Sequence, residues 1–283
     1  MVSERSQVFV TAAELSRLIA AGEPVTLLDV RWTLAEPDGH EAYLGGHLPG
    51  AVYVSLDDEL SDHSVTGRGR HPLPSGRNVE AAARRWGVRE GVPVVVYDDW
   101  NRAGSARAWW VLTAAGVADV RILDGGLTAW TAAGGALQQG PVTPVPGDVR
   151  VHHDDLYRGG RRVMTADEAA SWGGVLVDAR APERFRGEVE PVDPVAGHIP
   201  GAVNIPSTRI LAADGTLLPA PELRAVLAEA GATGDTEVGA YCGSGVTAAL
   251  AVAGLAAAGV DATLFPGSWS EWASDPTRQV VRG

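Results

Sequence analysis

Five short blocks of this chain occur twice in the same order, and that repetition restricts the fold more than any other feature. Val10-Thr11-Ala12-Ala13-Glu14-Leu15 has its counterpart in Met164-Thr165-Ala166-Asp167-Glu168-Ala169, and Leu27-Leu28-Asp29-Val30-Arg31 in Leu176-Val177-Asp178-Ala179-Arg180. Gly46-His47-Leu48-Pro49-Gly50-Ala51-Val52 matches Gly197-His198-Ile199-Pro200-Gly201-Ala202-Val203. Val95-Val96-Tyr97-Asp98 aligns with Gly239-Ala240-Tyr241-Cys242, and Gly125-Gly126-Leu127-Thr128-Ala129-Trp130 with Gly267-Ser268-Trp269-Ser270-Glu271-Trp272. Shared order with only small insertions indicates a duplication. A chain of 283 residues also exceeds what one compact core usually holds, so two similar domains are expected.

Each copy alternates strand and helix. Val25–Val30 and Val175–Val177 are short apolar runs leading to an Asp, and Val92–Tyr97 and Val238–Tyr241 are the next such runs, as buried parallel strands look. Helical segments follow at Ala103–Ala115 and Val246–Ala258, with Gly116 and Gly259 placed as C-terminal caps. Val120–Leu123 and Ala262–Phe265 read as further strands. The expected class is α/β, each copy a mainly parallel sheet with helices on both faces. The Pro/Gly stretch Gly140–Gly147 opens a linker, giving domains at 1–140 and 165–283 around a linker at 141–164.

Composition narrows the function classes. Thirty-five acidic against 23 basic side chains leave a net charge of −12, which argues against nucleic-acid or membrane partners because both need clustered Lys and Arg. One cysteine excludes an internal disulfide and fits a reducing, cytoplasmic setting. The first residues carry no signal-peptide pattern, and the Ala-rich run from Val246 to Ala258 is too short to span a bilayer. Cys and His are not clustered at zinc spacing, so no metal is expected.

The copies differ chemically after their central strands. The first continues Tyr97-Asp98-Asp99-Trp100-Asn101-Arg102; the second continues Tyr241-Cys242-Gly243-Ser244-Gly245-Val246-Thr247. Cys242 thus falls at the carboxyl end of a strand, the edge where open α/β sheets bind ligands. Gly243 and Gly245 let successive amides turn inward as an anion nest, with Val246 and Thr247 at the positive end of the next helix. Such a setting favours a nucleophilic thiolate. A lone Cys beside a strand is more often a small buried hydrophobe, but a core cysteine needs no nest.

With these residues in place, the chain resembles the two-domain rhodanese-like sulfurtransferases, which include thiosulfate and 3-mercaptopyruvate sulfurtransferases. The resemblance rests on Asp178-Ala179-Arg180, Gly197–Asn204, the Cys242 loop and Gly267–Trp272, and its Cys-Gly-Ser-Gly-Val-Thr loop is similar to the mercaptopyruvate branch. It implies two tandem rhodanese-like domains, the second catalytic, and a persulfide carried on Cys242 from a small-molecule donor to a thiol, cyanide or thioredoxin-like acceptor, with no cofactor. Mercaptopyruvate is the expected donor; thiosulfate, or a sulfur relay to a protein acceptor, is the alternative. The resemblance further implies that Ser244 works with Asp57 and His71 of the first copy across the domains, and that Arg184 grips the donor's carboxylate. Ser244 could equally be a helix cap. Where the relatives carry a second Arg, this chain has Val192, so Arg186 is the candidate to compensate.

Other readings are weaker. A phosphatase or arsenate reductase on this sheet needs an Arg closing the loop, and Ala248, Ala249 and Leu250 follow Thr247. A binding module would be expected to lack the cysteine. His47 and His198, and Asp29 and Asp178, recur in both copies and are expected to be structural, with the two Asp fixing Arg31 and Arg180 or the loop backbone. Trp269 and Trp272 are expected either to wall a pocket or to fill the core.

Overall fold

The computed structural model describes residues 4–283 and divides into two compact units. The first runs to Asp62 and takes in Leu73–Arg161 and Ala212–Leu217. The second comprises His63–Pro72, Arg162–Leu211 and Leu218–Gly283. Two short segments therefore count with the unit opposite to their place in the chain.

The first unit holds β1 (Phe9–Val10), β2 (Thr26–Asp29), β3 (Val52–Tyr53), β4 (Val94–Tyr97) and β5 (Val120–Leu123), in the all-parallel order β1-β5-β4-β2-β3. The second holds β6 (Val175–Asp178), β7 (Val203–Asn204), β8 (Val238–Tyr241) and β9 (Ala262–Leu264), in the all-parallel order β7-β6-β8-β9. The register repeats as well: Asp29 pairs with Tyr97 and Asp178 with Tyr241. A parallel bridge from Val163 to Leu264 stands where the first unit has β1. The strands are short, apolar and buried, as parallel strands covered on both faces must be.

The repeated blocks do the same work in both units. Thr11 and Glu14, and Thr165 and Glu168, form reciprocal caps at the start of a helix. Leu27, Leu48, Tyr97 and Trp130 pack in one core; Leu176, Ile199, Tyr241 and Trp272 pack in the other. The Tyr97 hydroxyl accepts the Leu48 amide at 3.0 Å and that of Tyr241 accepts the Ile199 amide at 3.1 Å. Burial pushes both phenols well above their ordinary range, so they stay neutral.

Helices Ala103–Ala115 and Thr247–Ala257 are buried on almost every side, which explains their runs of Ala, Leu and Trp without a polar face. Gly116 caps the first with φ +94°, a conformation in which any side chain would be strained. The segment expected as a linker is packed, not free. Gly147 donates to the Arg84 carbonyl at 2.8 Å and His152 to Ala115 at 2.9 Å, and the backbone stays with the first unit as far as Arg161. Backbone groups removed from water have to find such partners, and proline-rich composition alone does not show that they have.

Candidate active site

β8 ends at Tyr241, and Cys242 begins the turn into helix Thr247–Ala257. Its side chain is 2% exposed. The turn is braced from outside by Ser268-Trp269-Ser270. The Ser268 hydroxyl accepts the Cys242 amide at 3.1 Å, while the Trp269 and Ser270 amides donate to the carbonyls of Cys242 and Gly243 at 3.0 and 2.9 Å. With the carbonyls held this way, the amides of Gly243, Ser244, Val246 and Thr247 find no acceptor among the described residues. They remain available to an anion at the helix mouth.

The two glycines of the loop are required for different reasons. Gly245 has φ +79°, and a methyl group on it would lie 2.2 Å from the Pro266 carbonyl oxygen. Gly243 is not left-handed. A methyl group there would meet Arg70 Nη2 at 3.2 Å and Arg184 Nη1 at 3.5 Å, so its bareness leaves room for two guanidinium groups over the loop.

His71 reaches this loop within the second unit, because His63–Pro72 counts with it. His71 Nδ1 lies 2.8 Å from Ser244 Oγ, and both side chains are buried. Ser244 is therefore no helix cap; Val246 occupies that position without a side-chain bond. Asp57 belongs to the first unit, in the short helix Leu56–Glu59, and lines a cavity of about 360 Å³ with Asp38, His40, Tyr53 and Asp58.

Arg184 donates to Glu190 at 2.6 Å and approaches Asp193 at 3.4 Å. Arg186 does not join it: half-exposed, it pairs with Glu188 at 2.7 Å, and no contact among the described residues links it to the loop. Arg184, in the short helix Pro182–Phe185, stands over Gly243, whereas Arg186 is the residue that caps that helix. Arg70 pairs with the other oxygen of Asp193 instead. Burial disfavours charge on both acids. For Glu190 the hydrogen bonds from Arg184 and the Asp193 amide outweigh it, and that carboxyl lies below its usual range. For Asp193 burial prevails over the pull of Arg70 and holds the carboxyl above it.

Several of these residues escaped the reading of the sequence. Ser268 and Ser270 stand where the first copy has Gly126 and Thr128, a difference that was available as a signal. Arg70 adjoins His71 in a short cationic run, Arg68-Gly69-Arg70, on an acidic chain. The residues expected to be structural have structural partners. Asp29 and Asp178 form buried ion pairs with Arg31 and Arg180, at 2.9 and 2.6 Å. His47 lies 2.9 Å from both the Leu48 and Gly140 carbonyls, and His198 lies 2.8 Å from that of Phe185. Trp269 is a core side chain under the Arg180 guanidinium, and Trp272 packs in the same cluster.

The first copy tests the nest directly. Asp98, at the position of Cys242, has its Oδ1 within 3.1 Å of the Trp100 and Arg102 amides, while its Oδ2 accepts the Ser105 amide at 3.1 Å and hydroxyl at 2.7 Å. In the register that pairs Tyr97 with Tyr241, those first two amides correspond to Ser244 and Val246. The Arg102 guanidinium also pairs with Asp98 at 3.0 Å, and the left-handed residue of this turn is Arg102, whereas that of the second copy is Gly245, so the carboxylate is held by amides and by a cation together.

The rhodanese-like domain family model matches residues 11–133 and 164–275, once in each copy. The chain belongs to the rhodanese family. It is 66% identical over 279 residues to "Putative thiosulfate sulfurtransferase SseB" of Mycobacterium tuberculosis strain H37Rv, covering 99% of this chain and 98% of that one. It is 35% identical to human 3-mercaptopyruvate sulfurtransferase over 271 residues, covering 92% and 89%. Among solved structures, the rhodanese-fold 3-mercaptopyruvate sulfurtransferase SseA of Escherichia coli superposes with a TM-score of 0.78 at 32% identity, over 93% of this chain and 98% of that one. The chain is accordingly a two-domain rhodanese-type sulfurtransferase, an enzyme that transfers sulfur. No helix among the described residues is long and apolar enough to cross a membrane.

Proposed function

We propose that this rhodanese enzyme takes the thiol sulfur of 3-mercaptopyruvate onto Cys242, where it becomes the sulfane sulfur of a persulfide, and passes it to a thiol or cyanide. The observation that carries the reading is the helix mouth beside Cys242, where the amides of Gly243, Ser244, Val246 and Thr247 meet no acceptor among the described residues and can serve a thiolate and the persulfide anion formed from it.

The Cys242 thiolate attacks the donor's thiol sulfur, and an S–S bond forms as the carbon–sulfur bond breaks. The electron pair leaves on carbon as the enolate of pyruvate. The proton of the donor thiol ends on that carbon, so thiolate and mercaptopyruvate become a persulfide anion and pyruvate. Cyanide then takes the outer sulfur as thiocyanate, or a thiolate takes it as a new persulfide, and the Cys242 thiolate returns. Ser244 Oγ, 2.8 Å from His71 Nδ1, is suited to relay the proton. Arg184 supplies a planar fork for the donor's carboxylate. Thiosulfate is the second donor to consider, since the relative at 66% identity bears its name. A lone thiol suits a reducing, cytoplasmic setting, with a small thiol or a thioredoxin-like protein as acceptor.

Cys242→Ser tests the reading. It is expected to abolish thiocyanate formation from either donor, with the circular dichroism spectrum unchanged. Turnover comparable to wild type would end the assignment. Comparing kcat/KM for the two donors on one preparation decides between them.

A further inference from the structure

We infer that Ser270 is a positioning residue for the proton relay: it ties the backbone beside His71 to the backbone beside Ser244 and so sets the distance between those two side chains. The inference rests on the reading of His71 and Ser244 as that relay and adds what holds them together.

Three observations carry it. Ser270 is buried and bonds to both sides of the pair at once. Its hydroxyl accepts the Arg70 amide at 3.0 Å, one residue before His71, and its own amide donates to the Gly243 carbonyl at 2.9 Å, one residue before Ser244. The hydroxyl is oriented for this, because it donates to the Gly267 carbonyl at 3.0 Å and leaves its lone pairs for the Arg70 amide. Second, the segment that carries His71 is pressed onto the helix Ser268–Trp272 with nothing between. Gly69, at φ +79°, has no room for a side chain: a methyl group there would lie 2.4 Å from the Gly267 carbonyl oxygen and 2.8 Å from Ser270 Oγ. The Arg70 amide has no other acceptor among the described residues. Third, the first copy lacks the device. Leu127 donates to the Asp98 carbonyl at 3.0 Å as Trp269 does to that of Cys242, so the two helices brace their loops alike. Thr128, in the register of Ser270, is nevertheless exposed and forms neither bond, and Trp100 stands where the second copy has Ser244.

A proton crosses only between atoms within hydrogen-bond reach, and 173 positions of chain separate His71 from Ser244. Their spacing therefore depends on whatever joins the two backbones locally. Removing the Ser270 hydroxyl frees the Arg70 amide and with it the His71 side of the pair. The Ser270 amide, and so the brace on the Cys242 loop, is left in place.

The test is steady-state sulfur transfer from mercaptopyruvate to cyanide by the full chain carrying Ser270→Ala or Ser270→Thr, each alone and combined with His71→Gln, with folding checked by circular dichroism. Ser270→Ala should lower kcat roughly three- to tenfold, with the donor KM within about twofold of wild type. Ser270→Thr should recover most of that loss, because threonine keeps the hydroxyl. In the His71→Gln background Ser270→Ala should cost nothing more, since no imidazole remains to be placed. Alkylation of Cys242 by iodoacetamide should keep its wild-type rate in Ser270→Ala. Wild-type kcat in Ser270→Ala, the same fold loss with and without His71, or slowed alkylation would overturn the inference. If Ser270→Ala does not fold, Gly69→Ala breaks the same contact from the other side and carries the same comparison with His71→Gln. Should wild type not turn over mercaptopyruvate, or His71→Gln keep the wild-type kcat, the relay reading falls and the inference with it. A loss in His71→Gln with none in Ser270→Ala sinks the inference alone.

Discussion

Gly245→Ala puts the loop argument to its most direct test. The residue sits at φ +79°, and forcing alanine into the left-handed region costs about 1–2 kcal/mol. The added methyl would lie 2.2 Å from the Pro266 carbonyl oxygen. That oxygen belongs to backbone tied down beside it, since Phe265 donates to Ala240 at 2.9 Å and Trp269 to Cys242 at 3.0 Å. Overpacking against a partner that cannot swing away adds about 1–3 kcal/mol. The total, about 2–5 kcal/mol, should appear as a lower midpoint in urea unfolding followed by tryptophan fluorescence. Sulfur transfer should fall with it, because the loop can relax only by moving the amides beside Cys242. Gly243→Ala is the control. Its backbone is not left-handed and its nearest neighbours are the ends of two flexible arginines, so stability should change by only about 0.5 kcal/mol, while the donor KM rises. If the two variants were equally destabilised, or if Gly245→Ala left stability and turnover untouched, the account of the loop would be refuted.

Three further outcomes are expected. Ser244→Ala and His71→Gln should each lower kcat with mercaptopyruvate by roughly ten- to a hundredfold, and the double variant should lose little more than either alone, as one relay requires; additive losses would mean the two act separately. Arg184→Ala should reduce kcat/KM for mercaptopyruvate more than for thiosulfate, and equal losses on both donors would count against a carboxylate contact. Glu271 is held above its ordinary range, first by burial and against the attraction of Arg68 and Arg278. A carboxyl raised on folding stabilises most below its unfolded value of 4.5 and loses that contribution as pH rises through the folded one. Glu271→Gln should therefore flatten the decline in stability on the alkaline side of that value, read as melting temperature against pH. An unchanged slope would refute the assignment.

Much of the fold was legible because its signals are local. Apolar runs of strand length, Gly116 at a helix end and the paired Thr–Glu caps each act through neighbours only a few residues away. The duplication extended those signals, since a block with the same partners in both copies reads as framework: His47 and His198 bond carbonyls, and Asp29 and Asp178 hold Arg31 and Arg180. Departures between copies pointed to Cys242 by the same logic. Spacing along the chain could not tell Arg184 from Arg186, because the difference is tertiary: Arg184 stands over Gly243, while Arg186, just past the helix Pro182–Phe185, pairs with Glu188.

By itself the sequence determined two α/β units with parallel sheets, a single nucleophilic candidate at the end of the second central strand, and the small residues that shape the turn after it. Those properties depend on backbone preference and on burial of short apolar runs. The tertiary structure alone decided which distant groups meet that turn: His71 and Arg70 from a segment far earlier in the chain, Asp193 between two arginines, and Ser268 and Ser270 behind the loop. Charge and hydrogen bonding act over a few ångströms of space whatever the separation along the chain, so those partners exist only once the second unit has closed around Cys242.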